Sequence, residues 1–217
     1  MDLSDPVSAV IPTLEGQVLR VLAGTTRPMT ASTIARLAAR GSGPGVRVAL
    51  QRLVDVGTVL QDRVGRQYEY RANRDHAAWP AIQAAVDFAN GFRARLDAEI
   101  GRLIHDVTAH EAPDVGWGER VTCALFGSTA RGTADAESDV DLVLVIPDGV
   151  PAESGEALSE HLSERITLFT GNPVNTLLLT TGQRDEMVSR DDALVRSWRV
   201  DARTVHGPDL LPVPEGS

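Results

Sequence analysis

The chain has 217 residues, 42% of them hydrophobic, so packed cores in two small domains or one large one are expected and disorder is not. No run of about 18 apolar residues occurs, so no membrane span is predicted, and the acidic opening MDLSDPVSAV does not read as a secretory signal. The single cysteine, Cys123, excludes an intramolecular disulfide and a cysteine-rich zinc site, which makes a reducing cytoplasm the expected compartment. The net charge of −9 is uneven: residues 1–75 carry 10 Arg against 7 acids, and residues 76–217 carry 11 Arg against 23 acids. The first stretch suits nucleic acid, and the second repels it unless metal intervenes. Lysine is absent, which reflects the codon usage of a high-GC genome rather than chemistry.

In chain order, residues 13–22 place Leu14, Val18, Leu19 and Leu22 on one helical face, and Gly24 with the following Thr-Thr-Arg-Pro stops that helix. A second short helix begins after Thr30 as N-cap and turns Ile34, Leu37 and Ala38 inward. Gly41 to Gly45 reads as a loop. A third helix follows, with Val46, Ala49, Leu50, Leu53 and Val54 at helical spacing, and Gly57 ends it. The period then changes. Residues 58–62 and 67–72 read as strands around a tight turn at 63–66, with Tyr68 and Tyr70 on one side.

Three short helices followed by a hairpin form a winged helix-turn-helix domain over residues 1–75, and about 65 residues of it resemble the bacterial winged-helix regulators. That resemblance implies double-stranded DNA as a partner. Arg47, Gln51 and Arg52 lie near the exposed side of the third helix, and Arg63 and Arg66 tip the wing, so these five are the candidate DNA-binding residues. The alternative is that they are ordinary solvated charges.

Residues 76–112 are a connecting helix and linker. Ile82, Val86, Ala89, Phe92, Leu96, Ile100, Leu103 and Val107 make one apolar stripe, with Asn90-Gly91 as a potential break. The stripe either packs on its own chain or pairs with a second copy in a homodimer. A polar loop at 110–118 follows. Residues 113–217 then alternate: strands at 121–126, 141–146 and 174–180, helices at 152–168 and 183–198. The expected class is α+β, with a mixed sheet and helices in the C-terminal domain.

The chemistry is concentrated between Leu125 and Leu142, in the string LFGSTARGTADAESDVDL. An apolar strand ends at Gly127-Ser128. The glycine lets backbone approach a ligand, and the serine adds a hydroxyl donor. Thr129-Ala130-Arg131 can begin a helix whose free N–H groups suit a phosphate. Further on, Asp139 and Asp141 stand at i and i+2 of a strand and so project from one face. Adjacent carboxylates repel unless neutralised, and Mg²⁺ takes one or two of them together with phosphate oxygens. A phosphate cradle beside such a pair points to metal-assisted nucleotidyl transfer. Gly-Ser alone is a common turn and Asp-x-Asp alone is common at strand ends; it is their combination that is specific.

This string resembles the signature of the minimal nucleotidyltransferases of the DNA polymerase beta superfamily, G-S-x-A-R-G followed by S-D-x-D-L. The resemblance implies that Gly127, Ser128, Arg131 and Ser138 bind nucleotide, that Asp139 and Asp141 are the catalytic and metal-binding carboxylates, and that the ligands are an NTP with Mg²⁺ or Mn²⁺. Arg131 would support the phosphate end or lock the loop; otherwise it pairs with Asp135 or Glu137. Active members usually carry a third carboxylate on a later strand, and the matching position here is Asn175, an amide that cannot accept a proton at neutral pH. Asp185 and Glu186 could replace it only if their helix bends back.

The five histidines, His76, His105, His110, His161 and His206, share no metal-ligand spacing. Trp79, Trp117 and Trp198 read as packing anchors, and Cys123 as an inert core residue. The leading expectation is a cytoplasmic DNA-binding transcriptional regulator with a nucleotide- and Mg-binding domain impaired in catalysis. The alternative is an active enzyme transferring NMP to a small-molecule hydroxyl or to a protein, as antitoxins of this group do. A third possibility is a purely structural use of both domains, against which the retained Asp139 and Asp141 speak.

Overall fold

A computed structural model describes residues 1–38, 40–111 and 116–211, without the side chains of His110 and Glu111. The centre of the predicted polar loop, 112–115, and the His110 side chain lie outside the described residues. The chain divides into two compact units. One is Asp5–Phe92, and the other begins at Arg93 and also takes in Met1–Ser4. Among the described residues, no helix is long and apolar enough to cross a membrane.

The first unit has the element order of a winged helix: α1 (Leu14–Ala23), β1 (Met29–Thr30), α2 (Ala31–Leu37), α3 (Gly43–Asp55), β2 (Val59–Val64) and β3 (Gln67–Ala72). Val18, Leu22, Ile34, Val46 and Leu50 are fully buried and join one core with Val59 and Tyr70, so the helical stripes and the hairpin face each other. The Thr30 side chain caps α2 by accepting from the Thr33 amide at 3.3 Å. Leu37, expected inside, is 53% exposed, because α2 ends there and Ala38 turns the chain into extended conformation. The Gly41–Gly45 loop is shorter than expected. Ser42 caps α3 through the Gly45 amide, and Pro44 sits in the first turn, where its missing N–H costs nothing. The hairpin turn is also tighter. Arg63 and Val64 belong to β2, and only Gly65-Arg66 turns, with a positive φ of 61° at Gly65 as a type II′ turn requires. The two-residue β1 adds a third strand, giving the order β1-β3-β2.

α4 (Trp79–Glu111) is one continuous helix, unbroken at Asn90-Gly91; its first part belongs to one unit and its second to the other. Seven of its eight stripe residues, Ile82 to Leu103, are buried within the single chain, and Val107 is half-buried.

In the second unit the sheet order is β6-β5-β4-β7, with β4 Thr122–Phe126, β5 Val140–Ile146, β6 Val174–Thr180 and β7 Arg203–His206. β5 pairs antiparallel to β4 and parallel to β6, so the sheet is mixed, as expected. The parallel pair needs a crossover, and α6 (Ala152–Thr170) supplies it, burying Leu158, Leu162 and Ile166. The helix expected over 183–198 is two, α7 (Thr181–Ser189) and α8 (Ala193–Asp201). The chain breaks at Asp191, which takes a left-handed φ of 48°. β7 was not expected; Arg203 on it holds Asp97 of α4 with two hydrogen bonds of 2.6 and 2.8 Å.

Candidate functional site

The site is assembled where β4 ends and β5 and β6 begin. Sheet register sets it: Phe126, Asp141 and Asn175 lie side by side on β4, β5 and β6. Asp139 immediately precedes β5, so it and Asp141 share a face two residues apart, as the sequence predicts. The Asn175 Nδ2 donates to Asp139 Oδ2 at 3.0 Å and to Asp141 Oδ1 at 3.4 Å. Both carboxylates accept only, so the amide must turn its NH₂ toward them. Burial raises the Asp141 carboxyl above its ordinary value. The Asn175 hydrogen bond opposes this, the Asp139 charge adds to it, Arg131 opposes it, and Asp201 adds a smaller push.

The five-residue α5 (Gly127–Arg131) follows β4 directly. Gly127 has a φ of +66°, and a Cβ there would lie 2.7 Å from Asp141 Oδ2. Glycine is needed both for the backbone conformation and for the carboxylate beside it. No side chain caps the start of α5, and the Ser128 hydroxyl has no hydrogen-bond partner among the described residues. At the other end, the Ala130 carbonyl accepts from Arg93 of α4 at 2.8 Å.

Arg131 does not pair with Asp135 or Glu137. Its Nη1 donates to Asp201 Oδ2, at the C-terminal end of α8. Asp135 instead closes its own turn, accepting from the Ser138 hydroxyl at 2.8 Å and from the Glu137 amide at 3.1 Å. The Ser138 hydroxyl also accepts from the Asp135 amide at 2.9 Å. It is thus engaged in shaping the loop that delivers Asp139. Asn172, which is fully buried, donates to the Ser138 carbonyl at 2.9 Å and ties that loop to the start of β6. A buried Asn and an Asp at a helix end carry no motif, so Asn172 and Asp201 gave no signal in the sequence.

Asp185 and Glu186 do not reach the pair. They lie on α7, beyond the far end of β6 from Asn175, in ion pairs with Arg184 and Arg190. Among the described residues, no group of three or more His, Cys, Asp or Glu side chains could hold a metal ion. Asp139 and Asp141 nevertheless suit one hard cation completed by water and phosphate oxygens. Trp117 and Trp198 are buried anchors, and burial pushes the Cys123 thiol up to about 12, so it is inert.

The predicted DNA-facing residues are all exposed. Gln51 donates to Asp55 at 2.7 Å, and Arg52 pairs with Glu15 at 3.1 Å. Arg47, Arg63 and Arg66 form no ion pair among the described residues. Arg63 stands across from Tyr68 in the hairpin, and Arg66 is in its turn.

No curated protein sequence matches the chain. Among solved structures, one of a toxin-antitoxin with AMP-PNP is similar at 15% identity and a TM-score of 0.31, covering 50% of this chain and 74% of that one. The archaeal chromatin protein TrmBL2, described as showing a novel mode of DNA binding, is similar at 16% identity and a TM-score of 0.27, covering 86% and 71%. TM-scores this low do not establish a shared arrangement. The family model described as Nucleotidyltransferase domain matches residues 116–203, the stretch that contains every residue of the site around Asp139 and Asp141.

Proposed function

We propose that the protein is a DNA-binding transcriptional regulator whose nucleotidyltransferase domain binds a nucleoside triphosphate with Mg²⁺ or Mn²⁺ and transfers its nucleotidyl group slowly or not at all. The observation that carries this reading is Asn175, held in register beside Asp141 with its NH₂ toward both carboxylates. A carboxylate at that position could take the proton from an acceptor hydroxyl; a carboxamide cannot. The NH₂ group also offsets the repulsion between Asp139 and Asp141, which keeps the pair together without a third acid. Asp139 and Asp141 would hold the cation, whose charge would neutralise the phosphate oxygens. Gly127 gives the phosphates close access to backbone, and Ser128 offers a hydroxyl donor.

The DNA part of the reading is supported by the amphipathic α3, with Arg47 exposed on it, and by Arg63 and Arg66 on the wing. Positive groups without acid partners are what phosphate contacts need. The deciding experiment incubates the protein with labelled NTP and Mg²⁺, alone and with candidate acceptor proteins, beside a binding-site selection on random duplex DNA. The expected result is nucleotide binding without rapid labelling, and a recovered sequence preference. Rapid labelling of an acceptor would replace the regulator with a working transferase, and failure to recover any sequence at low salt would remove the DNA role.

A further inference from the structure

Arg131 sits three residues after Ser128 and four after Gly127 on α5, so all three share one side of that turn. One of its nitrogens donates to Asp201, and its side chain remains 51% exposed. A guanidinium has five donors in a fixed plane, and the others have no protein partner among the described residues. Asp201 is the reverse case. Its side chain is 5% exposed, Oδ1 is buried without a hydrogen-bond partner among the described residues, and Oδ2 accepts from Arg131. It also ends α8, where the helix dipole disfavours a negative charge. Such a carboxylate persists in the fold only because Arg131 stays with it.

We propose that Asp201 is a positioning residue that fixes the Arg131 guanidinium by one edge and leaves the other edge to receive the phosphate end of a bound nucleotide. The inference rests on the nucleotide reading of the site and deepens it. Arg131 does not leave Asp201 when phosphate arrives, since departure would strand a buried charge. It bridges the two anions, which the planar fork of Arg allows and a Lys ammonium does not.

Two effects of Asp201→Asn have opposite signs. Removing a negative charge near an anion site strengthens anion binding, whereas loosening Arg131 weakens it. Calorimetry with inorganic tripolyphosphate, with and without Mg²⁺, and with ATP and adenosine, separates them. The expected result is about ten-fold weaker tripolyphosphate and ATP binding in D201N, the size of one lost charge-assisted hydrogen bond. Adenosine affinity should be unchanged. R131K should show the same selective loss, and D201N added to R131A should cost nothing more. The loss should persist without Mg²⁺, which a role for Asp201 as cation ligand would not produce. Equal or tighter tripolyphosphate binding by D201N overturns the inference, as does an equal loss for adenosine. A wild-type protein that binds neither ATP nor tripolyphosphate overturns the nucleotide reading itself, and the inference with it.

Discussion

Asp141 of β5 stands beside Asn175 of β6 in parallel register, and the Asn175 amide bonds both Asp141 and Asp139. The two acids offer oxygens to a cation, and the amide between them has no group that takes a proton at neutral pH. Cation binding needs charge and oxygen, which Asp139 and Asp141 supply. Proton abstraction needs a free base close to the acceptor oxygen, and among the described residues Asp185 and Glu186 are engaged elsewhere.

The first prediction separates binding from the fold. Asp139→Asn with Asp141→Asn should abolish the Mg²⁺ dependence of ATP binding, measured by calorimetry. Both amides keep an oxygen that can accept from Asn175, so the sheet register should survive, as circular dichroism would report. Unchanged Mg²⁺-dependent affinity in the double variant would place the cation elsewhere.

Asp141 also makes the metal-free fold pH-sensitive. Its carboxyl is raised chiefly by burial, so the ionised form costs stability in the folded state. The contribution of the protonated form is full below the unfolded carboxylate value of about 3.9 and is lost as pH rises through the higher folded value. Asp141→Asn should therefore melt above the wild type at pH 7 without metal, with the gap closing toward about pH 4. Mg²⁺ should raise the melting temperature of the wild type and not of the variant. A wild type that melts higher at pH 7 without metal would contradict the burial argument.

Much of this site was legible because its parts are local. Gly127-Ser128 and Asp139-x-Asp141 are dense in sequence, and Val174 with Leu177, Leu178 and Leu179 marked β6 and hence gave Asn175 its place. What was hidden depends on distance or on length. The partner of Arg131 is Asp201, far along the chain, whereas Asp135 and Glu137 were nearer in sequence. β7 has four half-buried residues without alternation, and β1 has two, so neither carries a periodic signal. The apolar spacing through 183–198 continued across a break that only the backbone at Asp191 reveals. Leu37 satisfied the helical pattern, yet α2 ended before the pattern could be used.

DNA binding should show modest salt dependence. Arg47, Arg63 and Arg66 are the exposed arginines of α3 and the wing without acid partners among the described residues, which gives about three phosphate contacts per chain. The slope of log K against log salt should then be about −3 per bound chain, and each Arg→Ala change should reduce it by about 0.9. Arg52→Ala should alter it less, because Glu15 already holds that guanidinium. Fluorescence anisotropy on a selected duplex across a salt series measures this, and a flat response would exclude the arginine contacts.

The last prediction reverses the substitution that the reading depends on. Asn175→Asp would put a third carboxylate beside Asp139 and Asp141. Without metal the change should destabilise the protein, because two hydrogen bonds to the acids become two repulsions. With Mg²⁺ that penalty should shrink, since a cation gains a ligand where the amide had offered donors. If an acceptor hydroxyl is present, transfer should rise by about 10²–10⁴, the usual contribution of a general base. Thermal unfolding across a Mg²⁺ titration and label transfer from NTP would measure the two effects on the same variant. A wild type that transfers readily, and an N175D variant that transfers no faster, would show that the base comes from elsewhere and that Asn175 does not limit the reaction. A variant that binds Mg²⁺ more tightly yet transfers no better would assign the impairment to acceptor positioning rather than to proton abstraction.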